Sequence, residues 1–117
     1  MENKRRLGEQ KEAVAAEYLE ANGLKVLCRN YYYPGGEIDI IAKDKDYLVF
    51  VEVKYRRNTA YGFPAEAVTK AKQKKLLLGA RQYLYRNRLS FETPCRFDVI
   101  SIEKEEILWM PNAFSVS

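Results

Sequence analysis

The sequence predicts an α/β fold, a mixed β-sheet flanked by helices in the order αβββαββ. Two segments, about 3–22 and 65–88, place apolar residues at helical spacing. Five shorter segments are rich in β-branched and aromatic residues and are bounded by turn formers. At 117 residues, with no internal repeat, low-complexity stretch or linker, the chain is one domain with a single core.

The first helix runs from about Asn3, its N-cap, to Asn22, and Gly23 supplies the left-handed residue that ends it. Val14, Ala15, Tyr18 and Leu19 form its apolar face. Leu24 to Tyr33 reads as a strand and Pro34-Gly35-Gly36 as a turn. Strands at about 36–43 and 46–55 follow, joined as a hairpin through Asp44-Lys45-Asp46. Asn58 to Pro64 is a loop rich in turn formers and aromatics. The second helix, about 65–88, turns Val68, Ala71, Leu77, Ala80 and Leu84 inward. Arg96 to Glu103 and Ile107 to Met110 close the sheet, and Pro111 to Ser117 form a short tail. A mixed sheet packed between helices is the architecture this order favours.

Composition narrows the chemistry. The longest purely apolar run, Tyr47 to Val51, is far short of a membrane span, and the charged start does not resemble a secretory signal. A cytoplasmic location is therefore expected. Cys28 and Cys95 lie far apart in apolar, strand-like stretches and read as small core residues. The absence of histidine excludes Ser-His-Asp and Cys-His triads, histidine-based nuclease chemistry and any histidine-containing zinc site. Catalysis here must rest on carboxylates, lysine, tyrosine and a hard cation.

Charge is unevenly spread. From Lys54 to Phe91 ten basic residues face the single acid Glu66, while the remainder holds ten basic and fifteen acidic residues. A local +9 against −5 elsewhere is an electrostatic footprint for a polyanion.

Asp39 and Glu52-Val53-Lys54 interrupt two otherwise apolar strands, Glu37 to Ala42 and Leu48 to Lys54. An unpaired charge buried in such a strand costs several kcal/mol or neutralises. Alternation puts Glu37 and Asp39 on one face with Ile38 and Ile40 on the other; Phe50, Glu52 and Lys54 share a face opposite Val49, Val51 and Val53. Across the hairpin Asp39 comes opposite or diagonal to Glu52, roughly 5 Å away. Two like charges at that separation raise each other's pKa, and a Mg²⁺ ion, which takes oxygen ligands at about 2.1 Å, removes the conflict. Lys54 can then reach a phosphate. The alternative is a half-exposed strand with Glu52 and Lys54 as a solvated edge pair.

Glu12, near the edge of the first helix's apolar face, is the candidate third acid, the alternative being an exposed helical glutamate. Glu37 is either a ligand or a residue at the strand entrance. The second helix carries Lys70, Lys72, Lys74, Lys75, Arg81, Arg86 and Arg88 without the acidic i,i+4 partners that solvated faces carry. Tyr55, Tyr61, Phe63, Tyr83 and Tyr85 are interleaved with it, a pattern suited to nucleic acid.

Gly36-Glu37-Ile38-Asp39-Ile40-Ile41-Ala42 followed by Val49-Phe50-Val51-Glu52-Val53-Lys54 resembles the bacterial YraN family. That family is similar in turn to archaeal Holliday junction resolvases of the PD-(D/E)xK nuclease superfamily. The resemblance extends through Gly8, Glu12, Ala15, Tyr18-Leu19, Arg29-Asn30, Arg56, Val68, Lys72-Gln73, Leu76, Arg96-Phe97-Asp98-Val99 and Asn112-Ala113-Phe114. Ile38 stands where the idealised motif has proline. The resemblance implies a restriction-endonuclease-like fold and an endonuclease dependent on Mg²⁺, with Mn²⁺ as a substitute. In it Asp39 and Glu52 hold the metal, Lys54 is the catalytic lysine and Glu12 is the helix-borne acid. Arg56, Lys70, Lys72, Gln73, Lys74, Lys75 and Arg81 are the candidate nucleic-acid contacts. The expected substrate is DNA, branched or damaged, with RNA as the alternative; a homodimer would match the two-fold symmetry of a four-way junction. The rival expectations are a non-catalytic nucleic-acid-binding module on the same scaffold, and a protein-interaction subunit of a larger assembly.

Overall fold

The computed structural model describes residues 4–56 and 68–114, with side chains at 10–55 and 68–114. Its elements are α1 (Lys4–Ala21), β1 (Lys25–Tyr33), β2 (Gly36–Asp44), β3 (Tyr47–Arg56), α2 (Lys70–Arg86), β4 (Cys95–Glu103) and β5 (Glu106–Phe114). The order is the αβββαββ that the sequence predicts. The five strands form one sheet in sequential order. β3 and β4 pair in parallel, and the other neighbours pair antiparallel. Parallel neighbours need a crossover connection, which α2 supplies.

Each helix covers one face. Ala15, Ala16 and Leu19 of α1 pack with Ile40, Ala42, Val49, Val51, Ile100 and Ile102. Leu76, Ala80 and Leu84 of α2 pack with Ile38, Ile41, Leu48, Phe50, Phe97 and Val99 on the other side. Ile38 and Ile40 thus lie on opposite faces, which corrects the alternation read from sequence. The interruption falls at Asp39.

Ala15 and Leu19 of α1, Ala80 and Leu84 of α2 and Val68 just before it are buried as the sequence reading expects, but each helix departs from that reading at particular positions. The buried stripe of α1 is Glu12, Ala15, Ala16 and Leu19, at i, i+3, i+4 and i+7, while Val14 is 40% exposed. In α2 the buried positions are Leu76, Gly79, Ala80 and Leu84; Ala71 is exposed. The helix starts at Lys70, with Thr69 as N-cap accepting the Lys72 N–H at 3.1 Å. Asn3, the loop at 58–64 with Tyr61 and Phe63, the proposed helix start at 65–67 and the last three residues lie outside the described residues.

Gly79 lets α2 approach β2. A Cβ there would stand 2.5 Å from Tyr33 Cε1 and 2.9 Å from Ile38 Cδ1. The Tyr33 hydroxyl donates to the Lys75 carbonyl at 2.6 Å and fixes that approach.

Pro111 to Phe114 are strand, not tail. β5 continues through Asn112, at φ 52°, by a register shift opposite Phe97 and Val99. The cause is Asp98, which is only 1% exposed. Its carboxylate accepts from Arg96 Nε at 3.0 Å, Arg96 Nη2 at 3.2 Å, Trp109 Nε1 at 2.9 Å and the Asn112 N–H at 2.9 Å. A buried charge is tolerable only when compensated in this way. Arg96 also donates to Asp44 at 2.8 Å, tying β4 to the hairpin tip.

Candidate active site

The sheet forks between β2 and β3. Their ladder runs from Asp44↔Tyr47 to Ile40↔Val51. Beyond it β2 stays paired with β1 as far as Gly36, and β3 stays paired with β4 as far as Arg56. Asp39 sits at the fork. Its Oδ2 accepts the Val53 N–H at 2.8 Å, so a side chain takes over from the backbone ladder.

Glu12, Glu37 and Asp39 converge there, with one oxygen from each carboxylate lying within 4.8 Å of the others. Glu12 arrives from α1, at the head of the helix's buried stripe, and is 9% exposed. Glu37 and Asp39 both come from β2, and the break in alternation at Asp39 lets its carboxylate meet those of Glu37 and Glu12. Asn30 on β1 links two of the three. With its amide nitrogen toward the acids, it donates to Glu37 Oε1 at 2.8 Å and to Glu12 Oε2 and Oε1 at 2.8 and 3.0 Å. Carboxylates only accept, so this amide orientation is the one that satisfies both partners.

Asp39 is pushed up to about 8. Burial is the main cause, followed by the charge of Glu52; the Val53 N–H opposes both, and the neighbouring Glu12 adds to the rise. An aspartate held this far from its ordinary range has strong electrostatic demand for a cation or a proton.

Glu52 lies on the other tine of the fork and is 6% exposed. Its Oε1 is 3.4 Å from Lys54 Nζ and 3.7 Å from Lys72 Nζ. Its Oε2 is buried with no hydrogen-bond partner among the described residues. The structure therefore brings Glu12, Glu37 and Asp39 into one group. Glu52 stands beside them, with Lys54 and Lys72 attached to it.

The donor set suits a hard cation. Oxygen ligands at about 2.1 Å from one ion stand roughly 3 Å apart when adjacent and roughly 4 Å when opposed. The observed 4.8 Å envelope needs only a small contraction to match. Glu52, whose charge acts on Asp39, lies outside that three-carboxylate group and has a buried Oε2 without a hydrogen-bond partner among the described residues. Carboxylates of this kind select Mg²⁺ or Mn²⁺ over softer metals.

The remaining sequence candidates are on α2. Lys70, Lys74, Lys75 and Arg81 are exposed, and Lys72 is half-buried against Glu52. Gln73 turns its amide back to the Val68 carbonyl at 3.1 Å. The Arg56 side chain lies outside the described residues. Two contributors carry little weight in the sequence. Glu37 could equally mark a strand entrance, and Asn30 stands out only beside Arg29 within a longer resemblance. The signal for Asn30 is a turn-type residue inside a strand.

Similarity to known proteins spans the same elements. The model of a family described as "Uncharacterised protein family UPF0102" matches residues 11–102. A UPF0102 protein of Lachnoclostridium phytofermentans is 53% identical, with 96% of this chain and 95% of the relative aligned. UPF0102 proteins of Nitrosococcus oceani and Saccharophagus degradans are 44% and 43% identical, covering 93% and 94% of this chain and 91% and 93% of their own lengths. Among the described residues, no helix is long and apolar enough to cross a membrane.

Proposed function

The chain belongs to the uncharacterised protein family UPF0102, the YraN family that its motifs resemble, and from that premise we propose that it is a metal-dependent endonuclease hydrolysing DNA phosphodiester bonds, on branched or damaged DNA. One observation carries this reading: the Glu12, Glu37 and Asp39 carboxylates meet at the fork of the sheet, beside a buried Glu52 bearing two lysines.

In this reading Glu12, Glu37 and Asp39 would hold Mg²⁺, or Mn²⁺ in its place, with the buried Glu52 as the further candidate ligand. When bound, the ion supplies Lewis-acid activation of water and of the phosphoryl oxygens. The Val53 N–H fixes the Asp39 carboxylate before substrate arrives, which spares reorganisation during the reaction. Hydrolysis joins a water oxygen to phosphorus and expels a sugar oxygen, with negative charge building on the phosphoryl group. Lys54, held beside Glu52, is within reach to offset that charge, and Lys72 supports it from α2. Lys70, Lys74, Lys75 and Arg81 form the exposed basic face along which a phosphate backbone lies.

A panel of plasmid, four-way junction, single-stranded DNA and RNA, each with Mg²⁺, Mn²⁺ or chelator, tests the proposal. Metal-dependent product, greatest on a branched DNA, is expected. Salt-sensitive DNA binding with no turnover on any substrate, and no metal site by calorimetry, would replace it with a non-catalytic binding module.

A further inference from the structure

Asn30 stands on β1 between the pairs Arg29↔Ile40 and Tyr31↔Ile38, so it faces Asp39 across the β1–β2 ladder. Its φ is 55°, in the left-handed region that β-branched and bulky residues avoid. Glycine, asparagine and aspartate tolerate that conformation. Glycine lacks a side-chain donor. Aspartate would set a fourth carboxylate against Glu12 and Glu37. Asparagine alone of the three combines the backbone conformation with a neutral donor.

We infer that Asn30 is a positioning residue of the site: its amide ties Glu12 on α1 to Glu37 on β2 and orients both carboxylates without cancelling their charge. The inference rests on the metal site proposed above. The amide has two hydrogens. One serves Glu37 Oε1 at 2.8 Å, and the other is shared by Glu12 Oε2 and Oε1 at 2.8 and 3.0 Å. A lysine or arginine in this place would also bridge the two acids, but it would supply the positive charge that a cation should bring. Outer hydrogen-bond partners of ligating carboxylates fix ligand direction, and their loss weakens metal affinity. Asn30 also couples three elements, since it links α1 to β2 from its own strand.

The test is Mn²⁺ titration calorimetry on the full chain at one pH, with thermal melts in chelator. Asn30→Gly keeps the backbone conformation and removes the amide; Asn30→Ser is the second variant, its hydroxyl too short to span both acids. The expected result is a metal-free melting temperature close to wild type and a Mn²⁺ affinity weaker by about 10- to 100-fold. Asn30→Gly combined with Glu37→Gln should weaken binding by less than the product of the single effects. Unchanged Mn²⁺ affinity in a folded Asn30→Gly or Asn30→Ser protein would overturn the inference while leaving the metal site standing. Loss of fold in both variants would also overturn it, marking Asn30 as structural. If wild type itself takes up no Mn²⁺, the metal site fails and the inference fails with it.

Discussion

The Asp39 carboxylate accepts the backbone N–H of Val53 at 2.8 Å, at the point where β2 and β3 stop pairing. One N–H is too little to stabilise the charge. Burial, Glu52 and Glu12 together push Asp39 up to about 8 from an ordinary 3.8.

That shift predicts a pH dependence of stability. Between the two pKa values the native state holds a proton that the unfolded chain has lost. The contribution of Asp39 is therefore fully present below about pH 4 and is lost as pH rises toward 8. Asp39→Asn should raise the melting temperature of the metal-free protein at pH 8, with a smaller effect or none at pH 4. Melts at both pH values in chelator check this. At pH 8 a hundredfold excess of Mn²⁺ over its dissociation constant should restore about 2.7 kcal/mol to wild type.

The basic face of α2 predicts salt-dependent DNA binding. Lys70, Lys74 and Lys75 are exposed and make none of the ion pairs found among the described residues. Substituting all three by alanine should weaken binding to every DNA sequence alike. The slope of log affinity against log salt should become shallower by about 2–3, near 0.9 for each phosphate no longer neutralised. Fluorescence anisotropy across a salt series measures it.

Asp98 predicts a stability effect separate from the site. It is buried and accepts four hydrogen bonds, two of them from Arg96. Asp98→Ala leaves the Arg96 guanidinium without its main partner and frees the Asn112 end of β5. Urea unfolding should show a loss of about 3–5 kcal/mol.

The strand charges were legible because each broke an apolar run at a fixed period, and such a break needs a cause. Asp39, Glu52 and Lys54 could therefore be placed at one end of a hairpin from sequence alone, and the element order followed from pattern and turn residues. Other features depend on tertiary geometry. Ile38 and Ile40 part company because the sheet forks at Asp39, and period-two counting has no way to register a fork. Glu12 looks like one of several helical glutamates until its stripe partners Ala15, Ala16 and Leu19 are seen to be the buried ones, with Val14 turned out. Pro111 and Asn112 read as a tail because both are turn residues. Asp98, eleven or more residues away from Trp109 and Asn112, holds them in the strand.

Gly79 predicts a packing effect in the opposite sense to helix propensity. Alanine at a helix interior normally gains up to about 1 kcal/mol over glycine. Here the added Cβ would meet Tyr33 and Ile38 inside contact distance, and overpacking costs about 1–3 kcal/mol. Gly79→Ala should therefore destabilise in chemical unfolding. It should also weaken Lys72's hold on Glu52, since displacing α2 from β2 lengthens an ion pair that is already 3.7 Å.

Cleavage of supercoiled plasmid and four-way junction by wild type and Asp39→Ala, purified side by side, tests the metal-dependent chemistry most directly. Wild type should cleave with Mg²⁺ or Mn²⁺ and stop when chelator is added, and Asp39→Ala should lose on the order of 10²-fold or more. Equal cleavage by the two proteins, or cleavage indifferent to chelator, would contradict a metal centre built on Asp39.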